Sequence, residues 1–268
     1  EIEGNPDMEC SGVAKTDLPI LPLRNMVMYP GVALPVSVGR PKSLQLVKEA
    51  YEKKRLIGVT CQKEMSIDNP EYEDLYDIGT VAEIVKILEM PDSSSTVILQ
   101  GKKRFHLDNL TTLNPYLKGN ITLLEDELPV ENDKEFEALI SAIKELTFKI
   151  LKTLGEPTRE LSFALRNIDN SYYLINFLCS NIPIVAQQKQ ELLNIGSLKQ
   201  RAFSLYASLS KEAQLIQIKA DIQSKTREDI NQQQREHFLQ QQIKTIQDEL
   251  GGSVQEQDIL ELREKAAN

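Results

Sequence analysis

The chain reads as an α+β protein: a β-rich N-terminal half folded into a small barrel, then a helical bundle whose last helix is very long and protrudes. Three observations predict this. Val32, Leu34, Val36 and Val38 alternate with Ala33, Pro35 and Ser37, the period of two that a half-buried strand requires. From Phe136 the apolar spacing turns helical, through Leu139, Ile143, Leu146, Ile150 and Leu154. The run Ser210–Gly251 holds no proline or glycine before its end, and as an unbroken helix it would reach roughly 60 Å, more than the width of a small domain.

Residues 1–17 carry five acids and one lysine and few large apolar side chains, so they read as a disordered acidic tail. Residues 18–124 form the β-rich domain. Its opening segment, Leu18 to Leu23, contains Pro19 and Pro22, which should confine it to a sheet edge or an extended lead-in. Pro30-Gly31 marks a turn. Pro41 suits a first helical turn, and Leu44, Val47 and Tyr51 then fall on one face of a short helix ending near Lys53. Leu56 to Cys61 is a buried strand, and Ser66 to Ile78 a loop. Val81 to Met90 fits helix and strand templates alike. Strand is chosen because Pro91 to Ser95 is turn chemistry and Thr96 to Gln100 supplies the return strand of a hairpin. Phe105, Leu107, Leu110 and the segment Leu117 to Leu124 complete a partly closed barrel.

Residues 125–133 read as an acidic linker, with Asn132 or Asp133 placed to cap the next helix. Residues 134–209 form the bundle. Its first helix stops at Gly155 and Pro157; Leu161, Phe163, Leu165 and Ile168 mark a second, Tyr172 to Leu178 a third before Pro183, and Ile184 to Leu193 a fourth before Gly196. Ser197 then reopens a helix that flows into the arm, 210–251. Leu215, Ile218 and Ile222 give the arm an apolar start, and Leu239, Ile243, Ile246 and Leu250 an apolar end. Between them, from Gln223 to His237, only Ile230 is aliphatic, and a helix polar all round bridges bodies or is braced by a partner. Gly251 and Gly252 are expected to stop it, leaving 252–268 as a linker.

The formal charge of −9 comes from two acidic segments, 1–17 and 125–137, and the rest of the chain is nearly neutral. That is not the basic footprint of a nucleic-acid binder. Cys10, Cys61 and Cys179 have neither zinc spacing nor a disulfide framework, which points to a reducing compartment. No apolar run is long enough for a membrane span, and no secretory leader is visible, so the chain reads as cytosolic. It begins at Glu1 without Met and ends inside a charged helical pattern, so it reads as a fragment.

Catalytic chemistry is not legible in the residues. No Gly-x4-Gly-Lys phosphate loop occurs, and neither histidine, His106 or His237, has a second ligand at metal spacing. The acids Glu125 and Asp126, grouped in a linker, read as solvated. No cofactor or metal is expected in this chain, and recognition remains. Met26, Val27, Met28 and Tyr29 stand between Arg24 and Pro30, too apolar for a simple turn, and methionine suits surfaces that take varied apolar partners. Met26, Met28 and Tyr29 are therefore the candidate substrate-binding residues, against the competing reading that they fill the barrel core.

Gln234-Arg-Glu-His-Phe-Leu-Gln-Gln-Gln-Ile-Lys-Thr-Ile-Gln-Asp-Glu-Leu-Gly251 resembles the helix that precedes the ATPase module in the Lon family of ATP-dependent proteases, with His237 and Phe238 where the family usually has a Tyr pair. Leu21-Pro22-Leu23-Arg24, Tyr29-Pro30-Gly31, Val38-Gly39-Arg40 and Ser43 resemble the opening signature of the Lon N-terminal domain. Gly79-Thr80-Val81-Ala82, Pro91-Asp92 and Gly101 with Arg104-Phe105 continue it. The resemblance covers roughly Leu18 to Gly251. It implies a PUA-like β barrel and the substrate-recognition and assembly region of a serine protease that degrades misfolded and short-lived regulatory proteins. ATP and magnesium, a homohexamer, and a serine–lysine catalytic pair in a domain outside this stretch are implied with it. The brevity of 125–137 resembles the bacterial cytosolic form more than the mitochondrial one. Two rivals are a stand-alone PUA-like interaction module, which has no reason to carry the pre-ATPase helix, and an RNA-binding PUA domain, which the acidity opposes.

Overall fold

The computed structural model describes residues 16–89, 95–154, 165 and 168–266. Six strands, β1 (Thr16–Leu23), β2 (Ala33–Val38), β3 (Ile57–Cys61), β4 (Ile78–Glu89), β5 (Ser95–Thr112) and β6 (Lys118–Leu124), form one sheet in the order β2-β5-β4-β3-β1-β6. A further pairing of β5 with β6 closes five of them into a barrel and leaves β2 at an edge. Of the β-branched segment Val81 to Met90, the described residues Val81 to Glu89 are strand as expected, antiparallel to β5, and residues 90–94 lie outside the described set.

At 18 residues, β5 is long enough to serve two neighbours on one side, β2 through Ser95–Gln100 and β6 through Arg104–Thr112. The change of partner comes at Gly101. A Cβ there would lie 2.2 Å from the Tyr29 carbonyl oxygen, so glycine is what lets the segment before β2 lie against the strand.

The expectation that prolines hold β1 at an edge needs correcting, because β1 lies between β3 and β6. Thr16–Pro19 pairs antiparallel with β6, and Ile20–Leu23 pairs parallel with β3. Apart from Ile20, whose amide still reaches Leu117 at 2.8 Å, each half is thus bonded on one side, and a proline nitrogen with no hydrogen costs nothing on the other. Ile20 enters one core cluster with Phe105, Leu107 and Ile121, while Leu21 and Leu23 enter another with Val36, Val59 and Leu99. From Pro19 to Leu23 both faces of β1 are largely buried, which is why that stretch is continuously apolar.

Helix α1 (Pro41–Glu52) covers one barrel opening with Leu46, Val47 and Ala50; Leu44 is half-buried, and Tyr51, expected on that face, is exposed. Asp133 begins α2 (Lys134–Leu154) by accepting the Glu135 and Phe136 amides, as its position in the acidic segment predicts. Phe136, Leu139, Ile143 and Ile150 are buried along it. The helix expected over Leu161 to Ile168, with its preceding stop at Gly155 and Pro157, lies mostly outside the described residues. Helices α3 (Ser171–Asn181) and α4 (Ala186–Asn194) follow, and Asn170 caps α3 by accepting the Tyr173 amide.

Helix α5 runs Leu198–Ala266. The chain divides into two compact units after Ala213, so the barrel, α1–α4 and the opening of α5 share the first, and Gln214–Asn268 is the second. Within the second unit, Leu215, Ile218, Ile222, Leu239, Ile243 and Ile246 are exposed. Gly251 and Gly252 lie inside α5 and do not stop it. A helical glycine costs about 1 kcal/mol relative to alanine but presents no steric block, and no proline follows.

Candidate functional site

Residues 24–32 leave β1 and cross the barrel beneath α3 and α4, and their backbone is held from both sides. The Thr80 hydroxyl donates to the Met28 carbonyl at 2.6 Å, and the Gly31 amide to Gly101 at 3.0 Å. From the helices, the Asn176 amide donates to the Pro30 carbonyl at 3.2 Å, and the Tyr29 hydroxyl donates to the Lys189 carbonyl. The Met28 side chain is 3% exposed within the barrel core, and Tyr29 is fully buried. Of the three candidate substrate-binding residues, Met28 and Tyr29 are therefore structural. Their apolar character serves a seam between barrel and helices that local sequence cannot distinguish from a sticky loop. Val27 is buried as well. Met26 alone is half-buried, packed against the core and bordering open space.

The second correction concerns Asp126, expected to be a solvated linker acid. Its side chain is only 9% exposed, held between two arginines whose side chains are more buried still. Arg104, from β5, donates to it at 2.5 Å, and Arg201, from the first turn of α5, at 2.9 Å. Tyr172 donates to its other oxygen, and burial followed by this carboxylate holds the Tyr172 phenol well above its ordinary pKa. Other guanidinium hydrogens reach the Leu193 and Ile195 carbonyls and the Asn176 side chain. Two buried cations and one anion are tolerable only with those donors satisfied. Glu125, one residue earlier, is 79% exposed and pairs with Lys103 on the surface, so it matches the solvated reading.

Open space gathers around Arg40, at the start of α1. A groove of about 430 Å³ has Leu21, Leu23, Val36, Val38 and Met26 as its apolar walls and Arg24 and Arg40 at its rim. A neighbouring cleft of about 480 Å³ shares Pro22, Arg40, Pro41 and Ser43 with it and continues over Leu46, Leu113 and Tyr116. Arg40 donates to the Gln62 side-chain oxygen at 2.6 Å and to the Ile67 carbonyl at 3.3 Å, while its Nη1 is enclosed with no partner among the described residues. Arg24 pairs with exposed Asp68 at 2.5 Å. Burial, and then the like charge of Arg24, pull the Arg40 pKa below its ordinary value. Sequence reasoning used Arg24 and Arg40 only as marks of resemblance. The available signal was an arginine immediately before a helix-starting proline.

This arrangement suits binding. Burial pushes the Cys61 thiol up to about 11 and Cys179 up to about 12, so neither is a ready thiolate nucleophile. Among the described residues, no group of three His, Cys, Asp or Glu is placed to hold a metal ion. His106 faces Asp108 at 3.0 Å on the barrel surface.

Comparison with known proteins agrees with this picture. Residues 17–211 match the family model described as the ATP-dependent protease La (LON) substrate-binding domain. Similar proteins include a Lon protease of Parabacteroides distasonis, 62% identical over 93% of this chain, and one of Porphyromonas gingivalis, 48% identical over 93%. The chain spans 30% of the length of each. In fold it resembles the N-terminal domain of a Mycobacterium avium complex Lon protease, with a TM-score of 0.57 at 15% identity, covering 73% of this chain and 98% of that one.

Proposed function

The chain belongs to the Lon family through its substrate-binding domain, and from that premise we infer that it is the substrate-recognition and assembly region of an ATP-dependent serine protease that degrades misfolded and short-lived regulatory proteins. The observation that carries this reading is the groove beside Met26, open and apolar on its walls, in a domain whose buried thiols are held neutral. Apolar surface of this kind gains about 25 cal/mol for each Å² that an unfolded chain removes from water. The whole protein then draws on ATP and magnesium, works as a homohexamer in the bacterial cytoplasm, and contributes to protein quality control and the stress response. Its ATPase and peptidase chemistry belongs to the part of the relatives' length beyond this chain.

The test is a titration of the chain with fluorescently labelled, unfolded casein and with the same chain of a stable folded protein. Saturable binding of the unfolded polypeptide alone, weakened by Met26→Ser with an unchanged thermal melt, supports the reading. Equal or absent binding of both polypeptides overturns it.

A further inference from the structure

Among the described residues, strand β2 has an unpaired edge, and its register shows which backbone groups face it. Gly31 and Val32 together face Gly101, the Gly31 amide donating to Gly101 and the Gly101 amide to Val32. Alternation from that bulge places the bonded pairs at Leu34–Leu99, Val36–Val97 and Val38–Ser95. The backbones of Ala33, Pro35 and Ser37 therefore turn to the open side. Pro35 fits this phase, because its missing hydrogen would otherwise interrupt the ladder. The apolar groove with Arg24 and Arg40 at its rim lies along this strand, lined by Val36, Ser37 and Val38. Among the described residues, exposed Asp68 is paired with Arg24, whereas the hydrogen bonds of Arg40 go to the neutral oxygens of Gln62 and Ile67, so its charge has no paired carboxylate. Arg40 is half-buried at the groove, and a carboxylate is the strongest hydrogen-bonding complement of a guanidinium.

We propose that polypeptide is captured here by strand addition to the β2 edge, and that the preferred segment is extended, apolar at alternate positions, and carries an Asp or Glu side chain that ion-pairs with Arg40. This rests on the substrate-recognition reading and specifies its binding mode. Backbone bonds to Ala33 and Ser37 supply affinity for any sequence, while alternate side chains enter the groove and the acid selects among segments.

The test uses the 268-residue chain and a fluorescein-labelled peptide of about eight residues, long enough to lie along a strand, alternating Val and Thr with one central Asp. Methylating the backbone nitrogens of one alternate set removes the hydrogens that face β2, and affinity falls about tenfold or more, while methylating the other set leaves it unchanged. Replacing the peptide's Asp with Asn weakens binding about tenfold to the native chain and not at all to Arg40→Gln. Amidating its C-terminus has no effect. Equal behaviour of the two methylated peptides overturns strand addition, and indifference to Asp→Asn, or a loss on amidation, overturns the side-chain carboxylate. These peptide arms use the unchanged protein, so they decide the matter even if Arg40→Gln melts early. If unfolded casein still binds while the peptides show no register dependence, this inference fails and the substrate-recognition reading stands. If neither binds, both fail.

Discussion

Replacing Asp126 with Asn keeps the shape of the junction between barrel and helices and removes the carboxylate that Arg104 and Arg201 share. Arg104 and Arg201 are then left facing each other in the interior, their guanidiniums 2% and 0% exposed. Breaking a buried ion pair by removing one partner costs about 3–5 kcal/mol, because the remaining charge stays desolvated. With a urea m-value of about 3 kcal/mol per M, the upper end for small proteins, the unfolding midpoint of the first unit should fall by about 1–1.7 M. Glu125→Gln is the internal control. It lies one residue away and also loses a cationic partner, Lys103, but the pair is solvent-exposed, so its cost is at most about 1 kcal/mol. Urea unfolding followed by tyrosine fluorescence and by far-ultraviolet circular dichroism measures both variants. If Asp126→Asn falls within about 1 kcal/mol of Glu125→Gln, water screens the junction and Asp126 is not a desolvated partner of the two arginines.

Three further outcomes are expected. Gly101→Ala places a Cβ against the Tyr29 backbone, which cannot swing aside as a side chain would, so stability drops by about 1–3 kcal/mol or more; a thermal melt equal to the native chain's refutes the close approach. Met28→Ser lowers stability by about 2–5 kcal/mol, as expected for truncating a buried side chain, while Met26→Ser costs less, and matching melts for the two refute the separation of their roles. The Cys179 thiol is pushed up to about 12 by burial, against a usual value near 8.5 in an unfolded chain. Its contribution is full below the unfolded value and is lost as the pH rises from there towards 12, because the unfolded thiol releases its proton first. Stability should therefore decline above pH 9, and Cys179→Ala should flatten that decline in urea titrations across the alkaline range.

Much of the architecture is written locally. The period of two in β2, the proline that begins α1, the acid that caps α2 and the helical spacing of Phe136 to Ile150 all act between near neighbours, and each appears where the pattern places it. The long run from Ser197 onward is helical for the same reason, though glycine's modest cost allowed α5 to pass through Gly251 and Gly252. Of the candidate site, only Met26 was legible as a residue beside open space. Tertiary structure decided the rest, because burial depends on partners that lie far apart in the chain. Asp126 is indistinguishable from Glu125 until Arg104 and Arg201, 22 and 75 residues away, converge on it. Met28 and Tyr29 look like exposed recognition residues until Thr80 and Lys189 close over them. The prolines of β1 suggest an edge until the strand is seen to change neighbours between Pro19 and Ile20. Short-range patterning, which turns on steric preference and periodicity, thus determined the elements of this protein. Which polar and apolar groups leave water was settled only by long-range convergence, since desolvation is a property of the assembled neighbourhood and not of the residue.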